Sequence, residues 1–80
     1  MDNNEILTQL TDIIRRVFRI DSMEITLETK NEDIDGWTSL GHALLIDTIE
    51  KKFDINFELD DILVMHSIKD IYLKIVEKNK

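Results

Sequence analysis

Residues 36–53 read GWTSLGHALLIDTIEKKF, and the fold turns on how that stretch is parsed. Ala43, Ile46, Ile49 and Phe53 recur at helical steps, with Leu45 beside them, the spacing of one apolar stripe along a helix. Thr38 or Ser39 can open that helix, because a hydroxyl at its start accepts from backbone N–H groups that have no partner within the first turn. Lys51 and Lys52 close it with positive charge, where the helix dipole is negative. On this reading Asp47 and Glu50 lie on the outer side, while Leu40 and Leu44 lie on an exposed flank.

Working toward the N-terminus, Ile6, Leu10, Ile13, Ile14, Val17 and Phe18 step by threes and fours and predict a first helix over residues 3–19. Asn3 or Asn4 is its expected cap, and Arg15, Arg16 and Arg19 sit in its last turns. A long connection, 20–37, separates it from the second helix. Loops of that length inside a small domain are uncommon and often functional. Toward the C-terminus, Phe53, Ile55, Phe57 and Leu59 alternate with polar residues, as Met23, Ile25 and Leu27 do earlier. The two segments either pair as a ribbon or, the preferred reading, run as extended linkers pinned by their apolar side chains. A short helical turn is expected at 59–65. Ser67 followed by Asp70 resembles a capping box for a last helix that carries Ile68, Ile71, Tyr72, Ile75 and Val76. The expected fold is all-α: a small four-helix bundle, three main helices plus one short helix, with a long loop between the first two, built as a single domain over 1–80.

Composition narrows the function. The chain has 80 residues with 10 basic and 17 acidic side chains, a formal charge of −7. Such a chain repels phosphate backbones, so nucleic acid is not an expected partner. No apolar run is long enough to span a bilayer, and the first residues lack the pattern of a secretory signal. There is no cysteine, which excludes disulfides, thiolate catalysis and thiolate metal sites, and fits a cytoplasmic, reducing setting. His42 and His66 lie far apart in sequence with no ligand-spaced neighbours, so no metal site is expected; His42 reads as a helix-surface residue and His66 as one preceding a helix cap. Ser39 and His42 are near enough in a helix to touch, but no oxyanion hole or substrate cleft accompanies them, so a hydrolase is not expected.

Ser39 is the residue of interest. A serine at a helix start, fed by a loop containing Gly36, presents its hydroxyl where an anion is favoured by the free N–H groups and the dipole. It can equally be a plain N-cap.

The segment Gly36-Trp37-Thr38-Ser39-Leu40 resembles the Gly-x-Asp-Ser-Leu signature that opens the second helix of the acyl carrier protein family. ALLIDTIEKKF, the acidic ELDD and the Ser67-Ile68-Lys69-Asp70 entry to the last helix extend the likeness from the first helix to Ile75. WTSLGH looks most like stand-alone carriers with Trp-Asp-Ser-Leu-Gly-His. The resemblance implies a non-catalytic, monomeric carrier with Ser39 as the attachment point of 4′-phosphopantetheine, a group that a phosphopantetheinyl transferase moves from coenzyme A and that then holds acyl groups as thioesters. It further implies acyl-activating, acyltransferase or synthase partners with basic docking patches. These would meet Leu40, Leu44, Asp47, Glu50 and Trp37.

Thr38 stands where the family has Asp, with Asp33 and Asp35 the nearest acids before it. That departure supports the alternative, an unmodified acidic interaction module on the same fold. The stripes read first as core; the sharper reading is a bundle that opens to shelter an acyl chain. Trp37 either packs under the long loop or contacts a partner, and the two leucines either anchor a partner or are scattered surface residues.

Overall fold

The structure, a computed structural model, describes residues 2–79. Four helices follow in order: α1 (Asn3–Phe18), α2 (Ser39–Phe53), α3 (Leu59–Val64) and α4 (Ile68–Lys78). α1 packs against both α2 and α4. The buried stripes of the three, Ile6, Leu10, Ile13 and Ile14 with Leu45, Ile46 and Ile49 and with Ile68, Ile71 and Ile75, form one core. Ile34, Phe53, Phe57 and Met65 complete it from the connections and the end of α2.

The helix ends follow from side chains that satisfy orphan backbone groups. Asp2 caps α1, accepting from the Glu5 N–H at 2.8 Å, so the cap lies before Asn3 and Asn4, where it was expected. α1 and α2 end on Arg19 and Asp54, both left-handed at φ 55°. Each of these residues donates its N–H back to the helix, to the Arg15 and Glu50 carbonyls respectively. Ser67 caps α4 by accepting from Asp70 N–H. The reciprocal arm of the expected capping box is displaced by one residue, because the Asp70 carboxylate accepts from His66 N–H rather than from Ser67.

The two alternating segments do not pair. Among the described residues there is one isolated antiparallel bridge, Lys30 with Ser67. The loop lies along the start of α4 instead. Ile68 N–H donates to the Thr29 carbonyl at 2.9 Å and Lys69 N–H to the Leu27 carbonyl at 3.1 Å, so the loop satisfies two first-turn donors of α4. Met23, Ile25, Leu27 and Ile55 pack half-buried on the core, which is the pinned-linker arrangement.

α3 is tied to α4 by Asp61, whose carboxylate meets Lys74 at 3.1 Å and Lys78 at 3.2 Å. Asp61 also accepts from the Glu58 N–H. That backbone bond first, and the Lys74 and Lys78 ammonium groups next, hold its carboxyl down at about 2, from an ordinary value of 3.8. The same contact raises Lys74 above its ordinary 10.5. A carboxyl depressed on folding stabilises above its unfolded value and loses that contribution as pH falls through the folded one. The stability gap between the wild type and Asp61→Asn is therefore expected to be largest near neutrality and to close between pH 3.8 and about 2. Urea midpoints taken across that range measure it, and a pH-independent gap would contradict the assignment.

Candidate functional site

The Gly36–Ser39 turn is built from three local choices. Gly36 adopts φ +88°, a conformation L side chains rarely take, and its carbonyl accepts from Thr38 N–H at 2.8 Å. Thr38 is extended, and its hydroxyl accepts from Gly41 N–H at 3.2 Å. Thr38 is thus the cap, and Ser39 is the first helical residue. The Ser39 side chain is exposed, and among the described residues its hydroxyl has no hydrogen-bond partner. The positive end of the α2 dipole lies at this turn and favours negative charge near that oxygen.

Trp37 holds the turn from below. Its ring stacks on Phe18 of α1, centroids 5.3 Å apart, and its indole N–H donates to His42 Nδ1 at 2.9 Å. His42 Nε2 lies 3.0 Å from the Ile62 carbonyl of α3. An indole nitrogen only donates and a carbonyl only accepts, so the partners assign the neutral Nε2–H tautomer. His42 is therefore half-buried and bonded through both ring nitrogens, not the surface residue expected, and neither nitrogen is free to serve Ser39 as a base. The readable signal was its register: His42 lies three and four residues before the buried Leu45 and Ile46, at the middle of the stripe. Ala43, expected in that stripe, is exposed.

An open groove of about 270 Å³ runs from Ser39 between the start of α2 and α3. Trp37, His42, Leu63, Asn31 and His66 are among its walls. His66 is exposed and immediately precedes the α4 cap, as expected. On the outer face of α2, Leu40 is 81% exposed and Leu44 53%. Asp47 is exposed and pairs with Lys51 at 3.0 Å. Glu50, expected to face outward, turns its carboxylate back to accept from Phe57 N–H at 2.8 Å. The five residues proposed to meet a partner thus differ: Leu40, Leu44 and Asp47 are open, Glu50 is engaged internally, and Trp37 is half-buried. Among the described residues, no helix is long and apolar enough to cross a membrane.

No protein-family model matches the sequence, and no curated protein matches it significantly. Solved structures do match it, among them two acyl carrier proteins. The holo acyl carrier protein of Geobacter metallireducens, solved by NMR in solution, is 37% identical and superposes with a TM-score of 0.83 over 91% of this chain and 84% of its own. A candidate acyl carrier protein from Mycobacterium tuberculosis is 26% identical, with a TM-score of 0.83 over 90% of this chain and 96% of that one. With the helix order, the free serine at the head of α2 and a relative of this identity over most of both chains, the chain belongs to the acyl carrier protein family.

Proposed function

We propose that the chain carries acyl groups as thioesters on a 4′-phosphopantetheine arm attached to Ser39, serving fatty-acid, polyketide or another specialised acyl-transfer biosynthesis in the cytoplasm. One observation carries this reading: Thr38 takes the cap, which leaves the Ser39 hydroxyl exposed and uncommitted at the positive end of α2. The residues present fit the group. An accessible oxygen, first-turn N–H groups suited to a phosphodiester and an adjoining groove are what an anionic, flexible arm requires.

In attachment, Ser39 Oγ forms a bond to the phosphorus that bears pantetheine in coenzyme A. The diphosphate P–O bond breaks, adenosine 3′,5′-bisphosphate leaves, and the hydroxyl proton passes to a base of the phosphopantetheinyl transferase. Once bound, the group supplies the thiol that this cysteine-free chain lacks. The chain's own residues position rather than catalyse. Gly36 and Thr38 aim the oxygen outward, Trp37 fixes the turn to α1, and the tether raises cargo concentration at each partner's active site. Partners with basic docking patches would meet Asp47 by charge and Leu40 and Leu44 by apolar contact, the three of the five expected contacts that stand open.

The neutral Thr38 before the serine favours a second reading, an unmodified acidic interaction module. One experiment separates the two. The chain is incubated with coenzyme A and a broad-specificity transferase, and the intact protein is weighed. A gain of one phosphopantetheine group is expected in the wild type and none in Ser39→Ala. Ser39→Ala should also stay within about 0.5 kcal/mol of wild-type stability, whereas Thr38→Ala should lose about 1 kcal/mol. No mass gain with several transferases would defeat the carrier reading and leave the module.

A further inference from the structure

Ser39 stands between elements held with unequal strength. α2 is anchored by its buried stripe, whereas α3 has six residues, too few for independent helical stability, and exposes Leu59, Leu63 and Val64. Among the described residues the bond from His42 Nε2–H to the Ile62 carbonyl is the one hydrogen bond between α2 and α3. The same ring holds Trp37 through Nδ1. A single imidazole thus joins the turn that carries Ser39 to the far wall of its groove.

The two bonds respond differently to a proton. Nδ1 accepts from Trp37 only while its lone pair is free. A proton taken from solvent at Nδ1 sets N–H against N–H and ends that bond, because the indole cannot accept in return. The Nε2–H bond to Ile62 survives, now donated by a cation and so strengthened. We propose that His42 is the positioning residue for Ser39, acting through Trp37: neutral, it locks the Gly36–Ser39 turn; protonated, it frees that turn while keeping α3 in place. The importance of Ser39 here rests on the carrier reading, but the response of the turn does not.

The surroundings leave the response to His42. Among the residues lining the groove, His66, at the entry to α4, is the other titratable side chain, and none is a carboxylate, lysine or arginine. On α3 the Asp61 carboxylate is directed to Lys74 and Lys78. From α1 the packing partner of Trp37 is the uncharged Phe18.

Trp37 is the single tryptophan, so its emission reports the turn without interference. The test uses the full, unmodified chain, comparing Trp37 emission and amide hydrogen exchange, corrected for intrinsic rates, at about pH 8 and about pH 5.5, a range over which imidazole changes charge. The Trp37 and Thr38 amides of the wild type, bonded to the Ile34 and Gly36 carbonyls, are expected to exchange about tenfold faster at the lower pH, with a shift in emission, while residues 59–65 do not loosen. His42→Gln offers one acceptor and one donor group without titrating, and should give no response between the two pH values. His42→Phe should leave the turn loose at both, and His66→Gln should respond as the wild type does. A wild type without a pH response, a Gln variant that responds like the wild type, or a response lost in His66→Gln would each overturn the proposal. Coenzyme A takes no part in these readings, so a chain that never accepted the arm would leave the result standing.

Discussion

Gly41→Ala is expected to destabilise the protein by about 1–3 kcal/mol, although alanine is the better helix former. A Cβ at Gly41 would collide with the Gly36 carbonyl oxygen and come within 2.9 Å of Phe18 Cε1. The carbonyl is backbone, held by Thr38 N–H at 2.8 Å, so it cannot rotate aside as a side-chain tip would. Relief requires Gly36 and the residues up to the Thr38 cap to shift away from α2, and the variant should therefore also accept a Ser39 modification more slowly. Denaturation midpoints and loading rates measure the two effects. An alanine variant more stable than wild type would show that helix propensity outweighs the contact and that the turn sits less tightly on α2 than described.

Ile71→Ala should cost more, about 2–5 kcal/mol. Ile71 is fully buried in the core where α4 meets α1, and its loss leaves a void that neighbouring isoleucines cannot fill without leaving their own packing. A chain of this length has a total stability of about 4–12 kcal/mol. Without cysteine it has no covalent cross-link to offset the loss. The variant should lie at the edge of unfolding at physiological temperature. Leu73→Ala on the same helix, at a position 51% exposed, should shift stability by no more than about 0.5 kcal/mol. Urea titrations followed at Trp37 compare them, and equal losses at the two positions would contradict the assigned face of α4.

The helices were legible because their signals are local. The stripes of α1 and α4 repeat at helical spacing, Thr38 and Ser67 are hydroxyls at helix starts, and α2 ends at the expected Phe53. The exposed Ser39 could also be read from its place between Gly36 and a stripe. What was not legible depends on backbone partners or on rotation about a helix axis. Nothing in the side chains of Leu27 and Thr29 announces that their carbonyls receive the first N–H groups of α4. Ala43 and His42 are adjacent, and spacing to Ile46 alone admits either one to the stripe. Leu45 decides it, since a face containing Leu45, Ile46 and Ile49 is centred on His42 and turns Ala43 outward. The inward turn of Glu50 was hidden for a similar reason: it lies at the edge of that face, within reach of the Phe57 amide.

The pairing of α1 with α4 also has a temporal side. Ile6 and Leu10 leave a ribosome some sixty positions before Ile68, yet the core they enter includes Ile68, Ile71 and Ile75. Closing that core spans some sixty intervening positions, at an entropic toll that grows only slowly with loop length. During synthesis α1 and α2 can meet early, but their inner faces stay partly wet until α4 has emerged. A nascent chain would thus keep this core open to chaperones and proteases until α4 has emerged, and become resistant abruptly once it has.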